Sequence, residues 1–335
     1  MTRQRYIDCA KGLGILCIVF LHYENGVIPA TVNTFVGSFM ISIFYVVTGW
    51  VMAMREQRIS TRELVKRRLR SLGLPYLYWT GIILAFDCIL WAFGYYDTYF
   101  IARETYKSLV LRGIGTLWFL PALFFGEVGW NWLRDKRKIW WLVALVLIIA
   151  YKYYYGLTFR HAAGSTMKII QAPFLTISHT ASALLYVAAG FFVSKLYARL
   201  SLSAITEAVI GILMCAAAYF SASYLYLAIG KAAGILWMFF APILGPVGFI
   251  VLLKSIQESP ILYYFEYWGR NSLSLMVTHY SIVQVLLTII VVNVLHMQFT
   301  GWITIIAFVV SMPIQWMITK ILNRYFSVLL GNRNN

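Results

Sequence analysis

The sequence predicts an all-α, polytopic integral membrane protein of about ten transmembrane helices, with both termini on the cytoplasmic side. Three observations lead there. Hydrophobic residues fill 61% of the 335 positions and charged residues only 12%, about half the charge of an ordinary soluble chain. The apolar residues come in blocks long enough to cross a bilayer. The basic residues gather on alternate loops, as the positive-inside rule requires.

Taken in order, the expected spans are 7–27, 35–54, 75–94, 113–132, 139–155, 174–194, 203–222, 234–253, 272–292 and 302–322. The fifth is short, and the seventh and eighth are closely spaced. The first carries Asp8 and Lys11 and has no small-residue cleavage site after it, so it reads as a span and not as a cleaved signal peptide. With the N-terminus inside, the cytoplasmic segments hold 20 of the 28 Lys and Arg residues, among them Arg3, Arg5, Arg67, Arg70, Arg270 and Arg324. The external segments hold Arg103, Lys107, Arg112, Lys152, Arg160, Lys168 and Lys231. The net charge of +16 is thereby placed against anionic inner-leaflet lipid, and nucleic acid is not needed to explain it. No polar stretch is long enough for a soluble domain, so residues 1–335 read as a single membrane domain without a soluble C-terminal one. Cys9, Cys17, Cys88 and Cys215 all fall in apolar segments. They form no disulfide framework, and no His/Cys cluster has metal-ligand spacing.

The chemistry starts at His22. An imidazole titrates near neutral pH and is costly inside a bilayer. Lys11 lies eleven residues earlier, which at 100° per residue is three turns plus about 20°. The two share a helix face about 16 Å apart along the axis, and Asp8 falls one turn below Lys11. The structural alternative is an interfacial histidine and a snorkelling lysine; an acid, a base and an imidazole on one stripe weigh against it. Residues 62–76 form a basic, partly amphipathic lead into the third span. Most of its charges suit a lipid anchor, but Arg67 and Arg70 have i,i+3 spacing, and guanidinium forks match phosphate oxygens. Trp118 stands at the external end of a span, where an aromatic anchor is the ordinary reading, and Pro121 hints at a kink. Gly269-Arg270-Asn271-Ser272 reads as a loop feeding a helix with Asn271 or Ser272 as its cap, and His279 follows inside the ninth span. His161, His179 and His296 are read as structural.

These segments, in this order, resemble acyltransferase family 3, the bacterial membrane O-acyltransferases that include sugar O-acetylases and a fucose O-acetylase-like branch. The family pattern of a basic residue, ten residues and a His matches Lys11 and His22, with Asp8 in place; many relatives have Arg where this chain has Lys11. Arg67 and Arg70 before Pro75-Tyr76 match an Arg-x-x-Arg motif. Leu117-Trp118-Phe119-Leu120 and Gly269-Arg270-Asn271-Ser272-Leu273 with His279 resemble two later motifs. The resemblance runs from residue 5 to about 325.

It implies a ten-span enzyme of the bacterial cytoplasmic (inner) membrane. Such an enzyme moves an acyl group, acetyl by expectation, from cytoplasmic acetyl-CoA to a hydroxyl of a cell-surface polysaccharide or lipid-linked sugar. No permanently bound cofactor is expected. His22 is then general base or transient acyl carrier, with Asp8 and Lys11 beside it. Lys11, Arg67 and Arg70 face the CoA phosphates, and Trp118, Asn271 and His279 line the donor or acceptor site. Two other readings stay open: a glycan or small-anion transporter or flippase, and a succinyltransferase acting on a periplasmic glucan.

Overall fold

The computed structural model describes residues 3–55, 57–159, 164–222 and 240–332. The expectations placed on Arg160, His161, Lys231, Arg333 and the start of the span 234–253 lie outside the described residues. Among the described residues every regular element is helical. The order is α1 (Arg5–Tyr23), α2 (Ala30–Phe39), α3 (Ser42–Met54), α4 (Thr61–Arg68), a π-helical turn (Leu69–Gly73), α5 (Leu74–Ala92), α6 (Thr98–Leu109), α7 (Phe119–Leu133), α8 (Lys138–Phe159) and α9 (Ser165–Tyr197). There follow α10 (Ala204–Phe220), α11 (Ala241–Ser255), α12 (Leu262–Arg270), α13 (Ser272–Thr278), a second π turn (His279–Gln284), α14 (Val285–Ile289), a third π turn (Ile290–Val294) and α15 (Trp302–Tyr325).

Seven of these helical stretches, among the described residues, are long and apolar enough to cross a membrane: Arg5–Tyr23, Ala30–Met54, Thr61–Ala92, Lys138–Phe159, Thr166–Tyr197, Ser272–Val294 and Trp302–Tyr325. The protein is a multi-pass membrane protein. The other three expected spans correspond to shorter helices, α7 of 15 residues, α10 of 17 and α11 of 15. The shortening of α7 has a local cause. Gly113 and Gly115 hold positive φ angles of 68° and 51°, so residues before Trp118 turn instead of coiling. Pro121 then falls in the first turn of α7, where a missing N–H costs nothing, and it starts the helix instead of kinking it.

The chain divides into two compact units. The first comprises Met1–Arg58, Tyr186–Leu275 and Leu286–Gln315. In it, close helix crossings depend on residues without side chains, as expected where lipid supplies no hydrophobic drive between helices. A Cβ on Gly12 would stand 1.9 Å from the Phe265 carbonyl oxygen, and one on Gly269 would stand 1.7 Å from the Asp8 carbonyl oxygen. The backbones of α1 and α12 therefore touch. Gly49 and Gly190 make the same kind of crossing between α3 and α9, with Cβ positions 1.9 Å from the Val187 oxygen and 2.1 Å from the Val46 oxygen. Gly269 and Arg270 are thus the last turn of a helix and not a loop, which corrects the sequence expectation. The glycine is needed for contact, not for a turn.

The second unit comprises Ile59–Leu185, Met276–Val285 and Trp316–Asn335. Ser60 caps α4 by accepting from the Glu63 N–H at 3.2 Å, and Leu64 turns inward. Arg68 of α4 reaches Glu127 of α7, with Nε 2.6 Å from Oε2 and Nη2 donating to Oε1 at 2.8 Å. Tyr76 donates to the Ser108 carbonyl at 2.7 Å and Trp79 to the Leu329 carbonyl at 3.1 Å. In contrast α8 buries only 11% of its apolar window, against 61% for α1, so most of its Leu, Val and Trp side chains, among them Trp140, Leu142, Val146 and Leu147, are exposed.

Candidate active site

Helix α1 is continuous from Arg5 to Tyr23 and carries Asp8, Lys11 and His22 on one element, as the spacing required. At the N-terminal end the Asp8 carboxylate is buried, 2% exposed. It pairs with Lys11 Nζ at 2.6 Å, with Arg3, and at longer range with Arg270 Nε at 3.8 Å. Glu266 binds Arg5 at 3.0 Å and also Arg270. The Arg5 guanidinium donates to the Gln257 and Ser259 carbonyls at 2.6 and 3.1 Å and lies 4.1 Å from the Tyr263 ring centroid. Four cations (Arg3, Arg5, Lys11, Arg270) thus share two carboxylates (Asp8, Glu266). The network has surplus positive charge, and the α1–α12 glycine contact brings its halves together.

At the other end His22 Nδ1 lies 2.7 Å from the Ile18 carbonyl oxygen. A carbonyl can only accept, so Nδ1 carries the proton and the neutral ring keeps its lone pair on Nε2. Phe20, Tyr23, Phe299 and Phe308 cluster around this end: Phe20 meets Phe308 edge-on at 5.3 Å, and Tyr23 lies 6.4 Å from Phe299 and 6.2 Å from Phe308. Two residues past His22, Glu24 organises the following loop. Its Oε1 accepts from the Val27 and Ile28 N–H groups at 2.7 and 3.1 Å, and its Oε2 from Asn33 Nδ2 at 2.8 Å.

The other predicted residues divide. Arg67 is 61% exposed and pairs with Glu63 one turn back on its own helix. Arg70 is exposed too, but it sits in the π turn Leu69–Gly73, so the α-helical i,i+3 relation between the two arginines does not hold through that turn. Asn271 breaks the chain between α12 and α13, and its amide donates back to the Tyr267 carbonyl at 2.8 Å. His279 is fully buried at the start of the π turn His279–Gln284. Arg70 and His279 thus both occupy π turns, which interrupt helices where function often lies. Trp118 is no isolated belt residue: its ring lies 4.0 Å from His179 and 6.0 Å from the Arg112 guanidinium. Burial holds the Arg112 pKa below the usual guanidinium value, while Tyr155 and Glu104 oppose the drop.

Sequence reading missed Glu266, Glu24 and Glu127, and it gave Arg3, Arg5, Arg68 and Arg270 no role beyond loop charge. Only Arg270 left a signal, inside the Gly-Arg-Asn-Ser motif; Arg5, Arg68, Glu127 and Glu266 meet partners far along the chain, while Arg3 and Glu24 meet theirs within the next few residues. Among the described residues no group of three or more His, Cys, Asp or Glu could hold a metal ion.

No curated protein and no solved structure matches this chain. The acyltransferase-domain family does, over residues 4–320, which takes in α1 with its ion network and His22, the α4–α5 segment, Trp118 and His279. The chain belongs to acyltransferase family 3 and is an acyltransferase enzyme of the membrane.

Proposed function

We propose that the protein transfers an acyl group, acetyl, from cytoplasmic acetyl-CoA to a hydroxyl of a cell-surface polysaccharide or lipid-linked sugar. The setting we propose is the bacterial inner membrane, crossed ten times with both termini cytoplasmic. One observation carries the reading: a single unbroken helix holds a surplus of cations at one end and an oriented imidazole at the other. The separation of Lys11 and His22, about 16 Å, is of the order of an extended pantetheine arm. Phosphates at Lys11 would leave the thioester near His22.

In this reading Lys11, with Arg3, Arg5 and Arg270, meets the CoA phosphates. Arg67 and Arg70, both exposed, are proposed as further phosphate ligands. His22 Nε2 takes the proton of the acceptor hydroxyl as the oxygen attacks the thioester carbonyl. The C–S bond then breaks, and the proton passes to the departing thiolate to give CoA. The variant path has Nε2 attack the thioester first, breaking the C–S bond and releasing CoA thiolate; the hydroxyl oxygen then attacks the acyl-imidazole, the C–N bond to Nε2 breaks, and the hydroxyl proton passes to the thiolate to give CoA. Asp8 holds Lys11 in place and is a positioning residue. Trp118, Asn271 and His279 are proposed as lining residues.

The test uses membranes holding the full chain, labelled acetyl-CoA and the native surface glycan. His22→Ala should abolish labelled transfer while the protein stays in the membrane at wild-type level. Wild-type transfer by His22→Ala would overturn the mechanism. Mass spectrometry of the glycan from cells with and without the protein would name acceptor and acyl group together; a mass increment of succinyl would replace acetyl in the reading.

A further inference from the structure

The second unit holds half-buried cations that acyl transfer, as described, does not use. Lys152 lies within the lipid-facing helix α8, yet its ammonium turns inward and donates to Ser178 Oγ of α9 at 2.9 Å. A lysine at this depth ordinarily snorkels outward or meets a carboxylate; this one does neither among the described residues. Arg112, on the loop before α7, has the Trp118 ring 6.0 Å away and likewise makes no ion pair among the described residues. The Glu104 charge reaches Arg112, but that carboxylate is already held by Arg103 at 2.9 Å and Lys107 at 2.7 Å.

His179 joins the two. It follows Ser178 on α9, lies tilted against the Trp118 ring at 4.0 Å, and feels the charge of both Arg112 and Lys152. Its Nδ1 is buried without a hydrogen-bond partner. The loop that presents Arg112 is fixed. Leu111, Gly113 and Gly115 hold positive φ angles of 58°, 68° and 51°. Thr176 donates to the Val110 carbonyl at 3.1 Å and Thr116 to the Met276 carbonyl at 2.7 Å. Two basic side chains and an imidazole nitrogen are therefore gathered, among the described residues, without a carboxylate in direct contact with them. Unpaired charge in a low-dielectric setting is destabilising, and a fixed loop preorganises it for a ligand that neutralises it.

We propose that Arg112, Lys152 and His179, beside Trp118, bind an oxyanion, a carboxylate or phosphate carried by the sugar acceptor. The fork of Arg112 takes two oxygens, Lys152 supplies a point charge, and His179 Nδ1 donates when it bears hydrogen. Naming the ligand as the acceptor rests on the acyl-transfer reading; the anion site does not.

The experiment uses the full-length protein in phosphatidylcholine nanodiscs, with thermal unfolding followed in the presence of glucuronate, inorganic phosphate or glucose. Glucuronate and phosphate should raise Tm and glucose should not. Lys152→Met and Arg112→Gln should each remove the anion-dependent shift, and Lys152→Arg should keep it. Loss of fold is not expected for Lys152→Met, because it removes an unbalanced charge and leaves similar volume. Equal shifts with glucose and glucuronate, or anion shifts that survive in both neutral variants, would overturn the site. A shift already saturated in phosphatidylglycerol nanodiscs would identify a lipid headgroup as the anion and overturn the acceptor assignment.

A second arm measures transfer from labelled acetyl-CoA to p-nitrophenyl glucuronide and p-nitrophenyl glucoside. The kcat/KM ratio should favour the glucuronide by about tenfold or more, the size of one charge-assisted contact, and should fall towards one in Lys152→Met. An absence of all transfer together with an intact, Lys152-dependent anion shift would count against the acyl-transfer reading alone.

Discussion

Gly269→Ala is the most severe small substitution the structure defines. The new methyl would lie 1.7 Å from the Asp8 carbonyl oxygen and 2.9 Å from the Gly12 nitrogen. A carbon atom needs about 3.4 Å or more from such neighbours, so α1 and α12 must part by about 1.7 Å at their crossing. Overpacking of this kind costs about 1–3 kcal/mol, and here backbone, not a flexible side chain, has to yield. The same separation draws Arg270 away from Asp8, already at 3.8 Å, and opens the network around Lys11. Thermal unfolding of detergent-purified protein and acyl transfer should therefore both fall. Gly12→Ala should do the same, and the pair together should cost less than the sum, since one displacement accommodates both methyls. Gly81→Ala and Gly156→Ala are the controls: apart from the helix's own adjacent backbone, no atom lies within 4 Å of either new methyl, and a helical Gly→Ala change there should be neutral or stabilising by up to about 1 kcal/mol. If Gly269→Ala unfolds with Gly81→Ala and transfers at the wild-type rate, the backbone contact is not what holds the network.

Other outcomes follow from the same geometry. Glu127→Gln strands Arg68 beside a fully buried neutral side chain and should lower stability by about 3 kcal/mol, read as a drop in unfolding temperature. Arg67→Ala with Arg70→Ala removes two exposed groups, so unfolding should not change, while the KM for acetyl-CoA should rise well above any change in acceptor KM. With His22 Nδ1 committed to the Ile18 carbonyl, Nε2 can accept a proton only in the neutral ring; a pH–rate profile should therefore rise as the imidazole deprotonates, and a flat profile would exclude His22 as base. Glu24→Gln weakens acceptance from the Val27 and Ile28 N–H groups. It should slow transfer without moving the unfolding temperature, because the loop is local.

What the sequence disclosed depended on the range of the interaction involved. The stripe of Asp8, Lys11 and His22 was legible because helix periodicity is local, and α1 carries it unbroken. The basic lead at 62–76 was legible for the same reason, but the π turn inside it was not, since nothing in Leu69–Gly73 marks a wider turn. Gly269 was misread as a loop residue: a glycine needed for contact with α1 looks, in sequence, like one needed for a turn. Arg112, Lys152 and His179 lie 40 and 27 residues apart, each near an apolar segment where a structural role is the ordinary inference. Their meeting required the fold.

The π turn at Leu69–Gly73 works as a phase shifter in a helical stretch that otherwise runs from Thr61 to Ala92. Upstream, Arg68 is latched to Glu127; downstream, Tyr76 is latched to Ser108 and Trp79 to Leu329. Deleting a single residue between the latches would rotate one half against the other by about 100°, so both latches could not engage at once. The widened turn lets the basic α4 and the apolar α5 keep separate angular settings on one rod. The length of this segment is therefore constrained more tightly than its composition.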